Sequence, residues 1–205
     1  MSSLHQSSSG FVDRAQAILK FWFGDPSDPR SDYGQQRKLW FHKDPEFDAA
    51  IGQRFQADYE NARAGNLNQW MEQPRYNLAL ILLLDQIPRN IFRGSPQSFA
   101  TDPQALEAAR YGISRQWDQW LIPVERIFMY LPFEHSENMA DQNTSLQLFQ
   151  RLVEDNPELQ TTLDYAERHR EVIQRFGRFP HRNQILQRNT TPAEAEFLKQ
   201  PGSRF

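Results

Sequence analysis

Seven consecutive apolar residues, Leu78-Ala79-Leu80-Ile81-Leu82-Leu83-Leu84, constrain this chain more than any other feature. The run has no polar face. As part of a helix over 74–86 it must be covered on every side by other elements. It is far short of the ~20 residues that a membrane-spanning helix needs. The rest of the chain must therefore wrap it, and with 205 residues, fifteen Phe and five Trp it has the apolar surface to do so.

The wrapping elements read as helices. Asp44-Pro45 predicts an N-cap followed by proline at the first helical position. Phe47, Ile51, Phe55 and Tyr59 then recur every fourth residue, and Gly65 is the stop. Asp102-Pro103 and Asn156-Pro157 predict further starts of the same kind, and Thr191-Pro192-Ala193-Glu194 is a capping box. Helices are also expected over 13–23 (stopped by Gly24), 123–131 (stopped by Pro132) and 137–154, with Ser136 as the N-cap of the last. Residues 24–36 read as a loop. No stretch alternates with period two, so no sheet is expected. The class is all-α, a helical array or bundle. The proline-started helices hint at a repeated hairpin, but their spacing is irregular and exceeds the roughly 34 residues of a tetratricopeptide repeat. Residues 1–10 are expected to be a flexible tail, and 11–205 a single all-helical domain.

Composition narrows the function. The formal net charge is −3, which speaks against a general nucleic-acid or anionic-membrane binder. With no cysteine there is no disulfide, thiolate nucleophile or cysteine-ligated metal. The N-terminal residues do not have the pattern of a secretory signal, and a cytoplasmic location is expected.

The informative residues are polar ones on apolar faces. His169 sits within the stripe Leu159, Leu163, Ala166, Ile173, Phe176, and Gln142 within the stripe Met139, Leu146, Phe149, Val153. A buried imidazole or amide must find partners, and a satisfied structural role is the ordinary outcome. His135 lies between two helices, beside Ser136 and Glu137. The long apolar helix ends in Asp85 and Gln86, where a negative charge opposes the helix dipole; Arg89 or Arg93 is the nearest compensation. In Arg175-Phe176-Gly177-Arg178-Phe179-Pro180-His181-Arg182-Asn183, Gly177 ends a helix, Pro180 can start the next, and the phenylalanines anchor into the core. That leaves two basic groups, His181 and Arg182, in a first helical turn, where an anion is expected. Asp85, Glu134, Glu137 or a bound anion could serve. Pro88-Arg89-Asn90 echoes Pro180-His181-Arg182-Asn183.

At these residues the chain resembles a bacterial family known only as a domain of unknown function (family nine-twenty-four). The matching stretches are FWFGDP at 21–26, DQIPRNIFRG at 85–94, FMYLPFEHSE at 128–137 with Gln142, HREVIQRFGRFPHRN at 169–183 and TTPAEAEFL at 190–198. The resemblance implies an all-helical, tetratricopeptide-like array of antiparallel helix hairpins. It implies no activity. The family carries a glycine after the leucine that follows PHRN, where this chain has Gln187.

Several chemistries lack their signatures. The paired Glu-x-x-His of di-iron bundles is missing, as are His-Glu-x-x-His, a Gly-x-Ser-x-Gly elbow and a glycine-rich phosphate loop. No metal and no cofactor is expected. The leading expectation is a polar, net-basic pocket for a small anionic molecule or a partner's peptide carboxylate. Arg89, Arg178, His181 and Arg182 would supply charge, Asn90 and Asn183 orientation, and Asp85, Gln86 and Gln142 partners. The alternatives are an acid–base enzyme using His135, His169 and Glu137 on an anionic substrate, and a buried polar network with no ligand.

Overall fold

The structure, a computed structural model, describes residues 3–203 and 205, with side chains from Asp13 onward. Among the described residues there are helices and turns and no strand. The flexible tail expected at 1–10 begins outside the described residues, and the side chains of its remainder lie outside them too. Helix α1 (Ser3–Phe23) ends at Gly24, whose φ of +93° only glycine adopts without strain. Helix α2 (Pro45–Arg63) is capped as expected: the Asp44 carboxylate accepts from the N–H groups of Glu46 and Phe47, both at 3.0 Å. Its buried stripe is Ile51, Phe55, Tyr59 and Ala62.

Helix α3 (Pro74–Ile81) carries the start of the apolar run and passes through a π-helical turn, Leu82–Gln86, into α4 (Ile87–Ile91). The wide turn has a cause in the sequence. Pro88 has no N–H to give the carbonyl four residues back, Leu84 O. That oxygen instead accepts from the buried Thr101 hydroxyl at 2.5 Å, while Ile87 N–H bonds to Leu82 O. The expected end of this helix at Gln86 is therefore a widening, and the chain continues helical past a proline.

Helix α5 (Asp102–Ser114) follows, then α6 (Pro123–Glu134), α7 (Met139–Asp155), α8 (Gln160–Phe176) and the short α9 (Pro192–Phe197). Several boundaries differ from those expected; α1, for one, begins at Ser3 and not at Asp13. Pro132 lies inside α6, which runs to Glu134. Asn138, not Ser136, caps α7, accepting from Ala140 N–H at 2.8 Å; the Ser136 hydroxyl turns to Asp141 instead. Asn156-Pro157 opens only a 3₁₀ turn, Pro157–Leu159, before α8 begins. The Thr191 capping box with Glu194 forms, and Gly177 closes α8 at φ +68°.

Helix α3 is central and packs on α1, α5 and α6; α2 lies on α4; α5 packs on α6, α6 on α7 and α7 on α8. The residues Leu78 to Leu84 are all at most 3% exposed. Phe128 of α6 meets the rings of Trp22, Phe23 and Trp40 at 5.6, 5.3 and 4.8 Å. A second, small cluster, Val172, Ile173 and Phe179 with Met139, Phe176 and Phe197 against it, joins α8 to the segment after Gly177. No helix among the described residues is long and apolar enough to cross a membrane.

Candidate functional site

The π-turn places Asp85 at a point where α4, α5 and α6 meet. Its side chain is fully buried. It accepts from Gln86 Nε2 (2.5 Å), Arg89 Nη2 (3.0 Å) and His135 Nδ1 (2.7 Å). Burial opposes its charge, yet His135, Arg89 and Gln86 together hold its pKa below the ordinary carboxylate value. The same Arg89 Nη2 lies 2.9 Å from Asp102 Oδ1. Arg89 is thus the compensation that the end of the apolar run called for.

The ends of α6 and α8 bring in two imidazoles. His135 and His169 have ring centroids 6.4 Å apart. His169 Nδ1 lies 2.9 Å from Tyr165 O, and a carbonyl can only accept, so this nitrogen carries the proton. Ionised Asp85 fixes His135 the same way. In both rings Nε2 then holds the lone pair. Burial lowers both imidazole pKa values: against His135 it acts with Arg89, against His169 with His135 and Arg182. Both rings are neutral at pH 7. Glu134 Oε1 lies 3.0 Å from His169 Nδ1. Burial, reinforced by Asp85, pushes the Glu134 pKa up to about 8, so this carboxyl is mostly protonated at neutral pH.

The turn after Gly177 completes the group. Pro180–Arg182 is one 3₁₀ turn and not the start of a longer helix, so the dipole argument for an anion there does not apply. The burial of Arg182 replaces it. Arg182 is 6% exposed, with its guanidinium between the rings of Phe99 (4.7 Å) and Phe179 (4.6 Å). Its carboxylate contact is a long one, Nη1 to Asp102 Oδ2 at 3.4 Å, and its buried Nε has no partner. Burial and the nearby Arg89 lower its pKa to about 10, which leaves it charged at pH 7. His181 stands beside Phe179 (5.6 Å), its Nδ1 also buried without a partner, and its pKa is pushed down to about 3 by burial and Arg182.

Asp85, Gln86, Arg89, His135, His169, His181 and Arg182 thus gather around Glu134, Asp102 and Phe179. Other candidates lie apart from them. Asn90 donates to Asp48 (2.7 Å), which also takes Arg93, tying α4 to α2. Arg178 makes a two-pronged pair with Glu194 (2.7 and 2.9 Å). Gln142 donates to the carbonyls of Glu134 (2.6 Å) and Ser136 (2.7 Å) and so finishes the end of α6. Glu137 accepts from Phe179 N–H (2.8 Å) and from Arg188 (2.6 and 3.0 Å), and Arg188 donates to Asn183 Oδ1 (3.0 Å). These last residues position the turn that carries Arg182. Among the described residues no three His, Asp or Glu side chains are placed to hold a metal ion.

Asp102 is the residue that sequence reasoning misassigned. It reads as an N-cap, but Thr101 occupies the cap position and the Asp102 carboxylate faces Arg89 and Arg182. The two arginines of the echoed proline motifs therefore converge on one carboxylate. Glu134 was legible only as one possible counter-charge. Phe99 carries no signal that separates it from an ordinary core phenylalanine.

Fold and site together define an all-helical protein with a buried histidine–carboxylate–arginine cluster where five segments meet. The chain belongs to the bacterial family of proteins of unknown function DUF924, whose model matches residues 18–202. It is similar to a solved structure of a protein of unknown function from Agrobacterium tumefaciens (ATU0120), with 40% identity and a TM-score of 0.79 over 92% of this chain and 98% of that one. No curated protein matches it.

Proposed function

We propose that the protein binds a small anion at Arg182, beside the paired imidazoles. The observation that carries this reading is the guanidinium itself: buried between two rings, with Nε unpartnered and a single carboxylate contact at 3.4 Å. A buried arginine with so few hydrogen bonds is costly, and a carboxylate or phosphate would restore them in a geometry that the planar fork matches. The anion belongs either to a small molecule or to a peptide's carboxylate. The test is a thermal melt against acetate, benzoate, phosphate and citrate. An anion at ten times its Kd adds about 1.4 kcal/mol and raises Tm by a few degrees. Arg182→Lys, which keeps the charge but loses the fork, reduces the shift. If no anion moves Tm at tens of millimolar, the reading fails and the cluster is a structural network.

A second reading, proton transfer on the bound anion, is favoured by the Asp85–His135 pair. Asp85 fixes the His135 tautomer, so Nε2 is a base held in one orientation, and the ring is the less buried of the two, with its side chain 15% exposed. In this reading His135→Gln abolishes turnover of the ligand found by melting while its binding survives. Loss of binding alone would count against it.

A further inference from the structure

The face of the cluster formed by His169, Phe179 and His181 is covered by a ring from elsewhere in the chain. Phe205 packs on His169 with centroids 3.8 Å apart and planes tilted by 33°. It also stands 5.8 Å from His181 and 6.2 Å from Phe179. Those three rings form an aromatic recess, and the ring in it is 37% exposed. Phe205 belongs to neither apolar core cluster. The segment that brings it there is held at its edge. Arg168 donates to Gly202 O (2.7 Å) and reaches over the Phe205 ring (5.5 Å), and the Ser203 hydroxyl donates to Leu198 O (3.2 Å). Three buried atoms of the cluster have no partner, Arg182 Nε, His181 Nδ1 and Arg89 Nε; the first two belong to side chains packed on Phe179, and a phenyl ring cannot satisfy them.

We propose that Phe205 is a displaceable occupant of a ring-binding recess, and that the ligand of this site is an aromatic carboxylate. Its ring takes the place of Phe205 on His169, and its carboxylate takes the unpartnered Nε of Arg182. The inference rests on the anion-binding reading and adds two things, the ring and the competitor. A flat ring in contact with His169 and Phe179 gains burial and edge or face contacts of the kind that Phe205 makes now. The carboxylate supplies what the Phe205 side chain lacks, hydrogen-bond capacity beside a buried guanidinium. Displacing Phe205 costs only a partly exposed contact, so the recess can open without disturbing the core.

The experiment is isothermal titration of the full chain and of Phe205→Ala with benzoate, acetate and benzyl alcohol. The variant is first shown to melt cooperatively, as expected for a ring outside the core. The expected result is a benzoate Kd at least ten-fold lower in Phe205→Ala, with acetate affinity unchanged and little gain for benzyl alcohol. Equal benzoate affinity in the two proteins overturns the role of Phe205 while leaving anion binding intact. An equal gain for benzyl alcohol and benzoate overturns the carboxylate assignment and the use of Arg182. Failure of benzoate and acetate to bind either protein overturns this inference together with the reading beneath it.

Discussion

Glu134 shows what burial does to a single group. Its pKa rises from 4.5 to about 8, so the folded protein keeps a proton that the unfolded chain releases. The stability tied to that proton is complete below pH 4.5 and is lost as pH rises through 8. The neighbouring imidazoles run the other way. His181, lowered to about 3, contributes stability that is present above its ordinary value of 6.5 and is lost as pH falls. Glu134→Gln keeps a neutral polar group and removes the first dependence only. Urea denaturation at pH 5 and pH 8 should therefore show the variant gaining on wild type as pH rises, by on the order of a few kcal/mol at pH 8. A difference that stays constant over this range would mean that Glu134 is ionised in the folded protein. His169 itself was legible as a polar residue on an apolar stripe. Its proton position was not, because the tautomer is set by Tyr165 O within the helix and by what Glu134 brings from another one.

At the scale of elements, one local feature depends on a group distant in sequence. The π-turn that aims Asp85 inward is finished by Thr101, which is 1% exposed and donates to Leu84 O. Thr101→Val keeps the shape and strands that carbonyl. The expected cost is about 1–3 kcal/mol, read as a lower urea midpoint. If the midpoint does not move, the Leu84 carbonyl has another donor. The loop after the 3₁₀ turn offers the opposite case. Gln187 has φ +54°, a left-handed conformation that glycine adopts without strain. Gln187→Gly should stabilise the protein by about 1 kcal/mol by relieving this conformation, measurable as a higher Tm. A lower Tm would show that the looser unfolded chain outweighs the relief. The local signals that held are those a single segment completes by itself: the Asp44 cap, the Thr191 capping box and the Gly177 stop. Of those that moved, Asp102 lies where arginines from two other segments compete for its carboxylate, while Ser136 turns to Asp141, five residues on.

For the whole molecule, an unbroken apolar run and helical periodicity elsewhere were enough to determine an all-α fold built around Leu78 to Leu84. Hydrophobic burial is non-directional, and any arrangement that covers this run satisfies it. The sequence also determined that Asp85, His135, His169, His181 and Arg182 needed partners, because a polar group on an apolar face or beside one is costly wherever the chain places it. Which partners they received was decided only by the tertiary structure. Asp102 faces Arg182, Asp85 orients His135, and Phe205 covers His169, across separations of 80, 50 and 36 residues (182 − 102, 135 − 85, 205 − 169). Hydrogen bonds and ion pairs act over about 3 Å, and no periodicity in a sequence encodes a contact of that range between distant segments.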